Sequence, residues 1–408
     1  MSVRKRKWAT ASGEAREAWI VDYSDHEGDR CIKTFAKKRD ADAFAAIATV
    51  EISQGIHTPA SKTITVAEAG EDWIKTAEAN HLERTTIDEY RRHLDLHIVP
   101  RLGRTKLADL SVPMVRAFED ALLADKRSQS LVRKIRVSLG SIIADAQERG
   151  HVSRNVVREL RSRRKRGKEK RAERRQKGKL RVGADIPAPT EIRALIEATE
   201  EGQFQALFLV GIFVGLRASE LRGLRWEDVD LKKRELHVVQ RANIHGDIGS
   251  PKSEAGHRTV PITPKLAAVL TKWKLASKKS DLGVVFSTRT GAVLDHANLM
   301  QRSWWPLQLK AGVTKPVLDE SGRPKCDEDG RPMVQAKYSG LHCWRHFFAS
   351  WCINRVADGG LELPAKVVQA RLGHSSITVT MDTYGHLFPG GDDSERLADA
   401  EGKLWGQG

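Results

Sequence analysis

The chain has 408 residues, with 69 Lys or Arg against 53 Asp or Glu and a formal net charge of +16 at pH 7. That length exceeds one ordinary core, so two or three domains are expected, and the charge calls for a polyanionic partner such as a nucleic acid or an anionic membrane surface. The longest apolar run, Ala206 to Leu216, is about half of the ~20 residues a bilayer-spanning helix needs, and the four cysteines (Cys31, Cys326, Cys343, Cys352) form no C-x-x-C pair, which fits free thiols in a reducing compartment.

The chain opens on Arg4-Lys5-Arg6-Lys7, a basic start that a mixed polar stretch follows where a signal peptide has its apolar core. A cytoplasmic, nucleoid-associated protein is therefore expected. Trp19 to Tyr23 and Arg30 to Phe35 read as strands around the turn Asp25 to Asp29, with Arg4 to Trp8 as a third strand. A helix over Arg39 to Ser53, stopped by Gly55, completes a small unit. Its sheet face suits a DNA groove, or else a packing or dimerisation surface.

Residues 63 to 155 are helical by pattern, over Val66 to Ala79, Thr85 to Ile98, Pro113 to Leu123 and Ser130 to Arg149. A loop over Val99 to Arg104 separates the second and third. In the fourth helix Leu131, Ile135, Leu139, Ile142, Ile143 and Ala146 form the core stripe, and Arg133, Lys134 and Arg136 lie off it, free for phosphate or solvent. From Arg161 to Arg181 the composition changes to thirteen Lys or Arg against two Glu. Such a segment builds no core and reads as a linker, one that crosses DNA or resembles a nuclear localisation signal.

After Pro187 and Pro189 a helix is expected with Thr190 as its cap. The remainder reads as one mostly helical domain with strands at Leu236 to Gln240 and Arg258 to Ile262. Near the end, Asp319 to Pro324 is echoed by Asp327 to Pro332, a duplication that predicts a surface hairpin.

Six residues in this domain have the types that clamp and attack a phosphodiester. Arg217, in Gly215-Leu216-Arg217, falls where one helix ends and another begins, so that its guanidinium can bind two phosphate oxygens beside free amides; a salt bridge to Glu220 or Asp228 is the bland alternative. Lys252 sits in a turn-rich segment between the two strands, as a reaching amine or a solvated one. His342 and Arg345 are three apart on one predicted helix face. His342 and His346 also have a zinc-compatible spacing, but Cys343 stands where H-E-x-x-H needs its glutamate, so His346 is expected to pack beside Phe347 and Phe348. His374 precedes a predicted N-cap, and Tyr384, one of four tyrosines, is followed by glycine and a proline break that favour a more exposed phenol, with a half-buried structural tyrosine as the alternative.

Taken in order, Arg217, Lys252, His342-x-x-Arg345, His374 and Tyr384 resemble the signature of the tyrosine recombinase (phage integrase) family. The resemblance implies a multidomain, mainly α fold. It places an arm-type DNA-binding domain with a sheet plus helix at residues 1–60, a helical core-site-binding domain at 61–160, a basic linker at 161–188 and a catalytic domain at 189–408. It implies a site-specific recombinase that cleaves and rejoins strands through a 3′-phosphotyrosine on Tyr384, for integration or excision of a phage or other mobile element. In that scheme Arg217 and Arg345 neutralise the phosphate, Lys252 protonates the departing oxygen, His342 is the base and His374 donates a hydrogen bond. No cofactor or metal is implied. The partners implied are double-stranded DNA, a homotetramer on that DNA, and DNA-bending proteins or an excisionase, with no membrane. A type IB topoisomerase and a silent DNA-binding protein are rival readings, and the upstream modules favour recombination. The acidic insertion from Asp319 to Met333 and the long basic linker depart from the signature's surroundings.

Overall fold

Alternating side chains near the N-terminus pair into an antiparallel sheet, β1 (Ser2–Ala9), β2 (Ala15–Ser24) and β3 (Arg30–Phe35), in that order. Trp19, Val21 and Tyr23 share one face with Cys31 and Phe35 and pack on α1 (Lys38–Ser53) through Ala41 and Phe44. The opposite face carries Arg4 and Arg30, both paired with Asp22. The computed structural model describes residues 1–9, 15–24, 28–53, 59, 63–160, 179–319, 321–389 and 394–406. The expected turn residues Asp25, His26 and Glu27, the stop at Gly55 and most of the basic linker lie outside them. The chain divides into two units, Met1–Lys165 and Arg166–Gly408.

In the first unit α2 (Val66–Ala79) starts at a capping box in which Thr65 and Glu68 exchange hydrogen bonds. Helix α3 (Arg84–His93) does not stop at a loop. It widens into a π turn over Leu94–Ile98 and continues as α4 (Val99–Leu102), so the loop expected at Val99 to Arg104 is largely helical. Pro100 is the physical reason: it has no N–H for the ladder, and the preceding Val99 N–H reaches back five residues to the Leu94 carbonyl. Helices α5 (Val112–Ala124) and α6 (Gln129–Glu148) follow. The stripe Ile135, Leu139, Ile142, Ile143 and Ala146 is buried as its spacing demands, joined by Val132. Off the stripe, Lys134 pairs with Glu89 at 2.7 Å and Arg136 with Glu119 at 3.1 Å. A short α7 (Val156–Glu159) closes the unit.

The second unit begins with α8 (Pro189–Ala198), capped at Ala188 and not at Thr190. Pro189, with φ preset and no N–H to satisfy, takes the first helical position, and Glu191 reaches back to the Ala188 N–H at 2.8 Å. Helix α9 (Gln203–Val214) is buried nearly all round, and α10 (Ala218–Gly223) follows it. Strands β4 (Val229–Asp230), β5 (Glu235–Val238) and β8 (Arg258–Pro261) make one antiparallel sheet, and β6 (Arg241–Ala242) and β7 (Ile248–Gly249) a hairpin. Helix α11 (Pro264–Ala276) leads to α12 (His296–Leu299) and, through a second π turn just before Pro306, to α13 (Trp305–Lys310). Strands β9 (Thr314–Pro316) and β10 (Val334–Ala336) carry the duplicated segment as a hairpin. In each copy the first aspartate, Asp319 or Asp327, accepts from the backbone N–H two and four residues on; Glu320 lies outside the described residues.

Helices α14 (His342–Ile353), α15 (Ala365–Leu372), α16 (Ile377–Tyr384) and α17 (Ser394–Leu404) complete the chain. The core of this unit centres on Phe208, Trp304 and Trp344, with the two indoles edge to face at 5.0 Å. The fold is mostly helical with small antiparallel sheets. Among the described residues no helix is long and apolar enough to cross a membrane.

Candidate active site

The site is assembled around the C-terminal end of α15. A helix end leaves carbonyls without intrahelical partners and carries partial negative charge, so it attracts cations. Here three successive carbonyls each accept from an arginine. Arg371 O takes Arg258 Nε at 2.8 Å, Leu372 O takes Arg345 Nη2, and Gly373 O takes Arg217 Nη2 at 3.0 Å. Gly373 can turn the chain because its φ is +63°, a region that side chains disfavour.

Each arginine has a second anchor. Arg345 is 1% exposed and donates from Nη1 to Gly215 O at 2.9 Å. Gly215 ends α9 in the left-handed conformation, and its missing side chain leaves room for the Phe348 ring. Arg217 and Arg258 share Glu220, whose carboxylate takes Arg217 Nη1 at 2.6 Å and Arg258 Nη2 at 2.8 Å. The same carboxylate accepts the Arg217 backbone N–H at 2.9 Å. Burial opposes its ionisation, but hydrogen bonding from Arg258 and the charges of both arginines outweigh burial and pull its pKa down to about 2. Three guanidiniums thus face one carboxylate. The remaining positive charge is suited to an anion, and Arg217, partly exposed, offers it a guanidinium edge.

The phenol lies beside this cluster. Tyr384, the last residue of α16, is 1% exposed. The glycine and proline after it predict exposure, yet α16 lays the ring parallel to His374 at 6.3 Å and against His346. Burial pushes its pKa up to about 12, against the pull of Arg345 and Arg217. Its oxygen is 2.8 Å from His346 Nδ1. His346 is therefore no mere packing residue, and its position four residues after His342, on the same helix face, was the available signal.

His374 follows Gly373 and is held through Nδ1 to Thr380 Oγ1 at 2.9 Å, just ahead of the α16 N-cap Ser376. Burial, then Arg345 and Arg217, lower its pKa to about 4, and burial, then His342 and Arg345, do the same for His346. His342 stands at the exposed start of α14, edge to face with His346 at 4.5 Å, and its pKa is lowered by the protein around it and by Arg345 and Arg217. All three imidazoles are neutral at pH 7. Among the described residues no third His, Cys, Asp or Glu joins His342 and His346 as a metal-ligand group.

Lys252 is the one predicted residue with no side-chain link to the cluster. It lies exposed in the turn between β7 and β8, and its ammonium makes no hydrogen bond or ion pair among the described residues. The turn itself is close to the site: a Cβ at Gly373 would stand 2.7 Å from Ala255 O and 3.0 Å from Arg258 Nη1. Arg258, read from sequence only as a strand residue, is the functional neighbour that pattern reasoning missed, since nothing in its spacing announces a contact with Arg371 or Glu220.

Residues 188–390 match the phage integrase family. The chain belongs to that family. It is similar to a XerC-like tyrosine recombinase of Caldanaerobacter subterraneus, 28% identical over 235 residues, covering 52% of each chain. It is also similar to the prophage integrase IntR of Escherichia coli, 30% identical over 230 residues, covering 55% of this chain and 52% of the relative. The match spans about half the length of each of these relatives. Among solved structures the fold resembles a lambda integrase tetramer bound to a Holliday junction, with a TM-score of 0.52 at 17% identity, covering 91% of this chain and 96% of that one. At that identity the likeness is one of fold.

Proposed function

We propose that this phage integrase family member is a site-specific recombinase that cleaves and rejoins double-stranded DNA through a covalent 3′-phosphotyrosine on Tyr384, integrating or excising a phage or other mobile element. The observation that carries the proposal is the set of arginines tied to consecutive carbonyls beside a buried phenol. Arg217 and Arg345 neutralise the charge that grows on the non-bridging oxygens as Tyr384 attacks, from positions already fixed before substrate arrives. His374 donates a hydrogen bond to the phosphate. Lys252, carried by the mobile reach of a long side chain, protonates the departing 5′-oxygen. The strand is held as a tyrosyl ester, and its energy is conserved until a 5′-hydroxyl reverses the step.

Domain roles follow from the same reading. Residues 1–60 bind arm-type sites, 61–160 grip the core site, 161–188 link the two DNA-binding regions to the catalytic domain, and 189–408 carry out the chemistry. Recombination of two duplexes implies four protomers, an assembly supported by the fold shared with the tetrameric lambda integrase. DNA-bending proteins or an excisionase would set direction.

The test is a nicked suicide duplex carrying the site that footprinting identifies in DNA flanking the coding gene. A covalent adduct on a denaturing gel that disappears in Tyr384→Phe is expected. An adduct that persists in Tyr384→Phe overturns the proposal, and so does binding without any adduct.

A further inference from the structure

The ammonium of Lys252 has no partner among the described residues to aim it, so its placement depends on the turn that carries it. That turn is folded back on itself. After Lys252 the chain makes a single 3-10 turn over Glu254–Gly256, in which the Gly256 N–H donates to Ser253 O at 2.8 Å and the His257 N–H to Glu254 O at 3.0 Å. Gly256 lies against Pro251, the residue before Lys252: a Cβ on Gly256 would stand 2.4 Å from Pro251 Cβ. The Gly256 carbonyl in turn accepts from Arg258 Nη1 at 3.0 Å.

Arg258 reaches from this turn into the arginine cluster. Its guanidinium carries five N–H donors in a fixed fork. Nε donates to Arg371 O at 2.8 Å, Nη1 to Glu220 Oε1 at 3.2 Å as well as to Gly256 O, and Nη2 to Glu220 Oε2 at 2.8 Å. Glu220 also holds Arg217, and Arg371 O is the first of the three carbonyls at the end of α15. A second contact reinforces the link, since Ala255 O comes so close to Gly373 that a Cβ there would stand 2.7 Å from it. We infer that Arg258 is a positioning residue that holds the Lys252 turn against the phosphate clamp and so brings the ammonium to the departing 5′-oxygen. This inference rests on the proposal that Lys252 is the proton donor.

The need for such a tie follows from the chemistry. During cleavage the Tyr384 oxygen bonds to phosphorus as its proton passes to His342, the bond from phosphorus to the 5′-oxygen breaks, and that oxygen takes a proton from Lys252. Rejoining returns each proton. A donor transfers its proton only from within hydrogen-bonding distance of the accepting atom. The flexible lysine stem supplies reach without direction, so the backbone beneath it sets how often the ammonium arrives. Lysine cannot replace Arg258 in this work, because one compact ammonium can pair with Glu220 but cannot span two carboxylate oxygens and two carbonyls at once.

The experiment measures single-turnover adduct formation on two suicide duplexes, one with the ordinary oxygen and one with sulfur at the 5′-bridging position of the scissile phosphate. A sulfur leaving group departs without a proton. The proteins compared are wild type, Lys252→Ala, Arg258→Lys, Gly256→Ala and the double variant Lys252→Ala with Arg258→Lys, each verified for binding by gel shift. Arg258→Lys keeps a cation opposite Glu220, whereas Gly256→Ala leaves Arg258, Glu220 and Arg217 in place and displaces the turn beside Pro251. Complete loss of a general acid costs about 10²–10⁴-fold, so a misplaced one is expected to slow both single variants at least ~10-fold on the oxygen duplex. On the sulfur duplex both are expected to react near the wild-type rate. The double variant is expected to be no slower than Lys252→Ala, because residues that act as a unit are not additive. If Arg258→Lys does not fold, Gly256→Ala decides alone. A wild-type rate on the oxygen duplex, slowness that sulfur leaves in place, or a double variant slower than Lys252→Ala overturns the inference. Rescue of Lys252→Ala by sulfur in the same series keeps the lysine as proton donor in those cases. Equal slowness of Lys252→Ala on both duplexes overturns the proton-donor reading and this inference together.

Discussion

Glu220 and Arg258 form an ion pair at 2.8 Å whose side chains are 2% and 5% exposed. Charges so deeply buried are costly unless fully paired, and this pair is tied further, to Arg217 on one side and to the Arg371 carbonyl on the other. The carboxylate thus joins the start of α10, strand β8 and the end of α15, the three segments that position the arginine cluster.

Removing that charge should reduce stability in a pH-dependent way. The folded pKa of Glu220 is about 2, below its ordinary 4.5. The unfolded chain therefore binds the proton more readily between those values. The stabilisation is fully present above pH 4.5 and is lost as pH falls toward 2; a shift of this size corresponds to about 3 kcal/mol. Glu220→Gln is expected to lower stability at pH 7 by about that amount, with the gap from wild type closing on acidification. Urea denaturation followed at pH 7, 4 and 3 measures it, and a gap that stays constant with pH would contradict the linkage.

Gly215 joins core packing to the site. A Cβ there would stand 2.2 Å from Phe348 Cδ1, and the residue already has φ +70°. Gly215→Ala meets both problems, a left-handed conformation costing about 1–2 kcal/mol and overpacking costing about 1–3 kcal/mol. Because the Gly215 carbonyl holds Arg345 at 2.9 Å, the shift that relieves Phe348 also moves that guanidinium. Thermal melting is expected to show destabilisation of about 2–5 kcal/mol together with slower adduct formation. Unchanged cleavage in a destabilised variant would separate the two roles.

Much of this was legible in the chain because periodicity and local chemistry carry it. The stripe on α6 and the strands around Trp19 and Thr34 depend on spacing within one element, and they form as that spacing requires. The π turn before Pro100 was not legible, because whether a proline ends a helix or slips its ladder is decided by tertiary packing around Leu94 and Ile98. At the site, residue types in order pointed to Arg217, Arg345, His374 and Tyr384, which the structure gathers. The burial of Tyr384 was missed, since glycine and proline report local chain direction and not what packs against the ring. Arg258 and His346 escaped for a related reason: their partners, Glu220 and Tyr384, are 38 residues away in each case.

Lys252 separates chemistry from stability most cleanly. Its side chain is exposed and without partners among the described residues, and substitutions at such positions usually alter stability by no more than about 0.5 kcal/mol. As a proton donor to the leaving oxygen it should nevertheless matter greatly, since loss of a general acid costs about 10²–10⁴-fold. Lys252→Ala is expected to melt as wild type does and to cleave an ordinary phosphodiester at least ~100-fold more slowly. Replacing the 5′-bridging oxygen of the scissile phosphate by sulfur removes the need for a proton, because a thiolate leaves unaided. Cleavage by Lys252→Ala should then return toward the wild-type rate. Equal slowness of Lys252→Ala on both duplexes would assign the lysine to binding the DNA backbone and remove it from proton transfer.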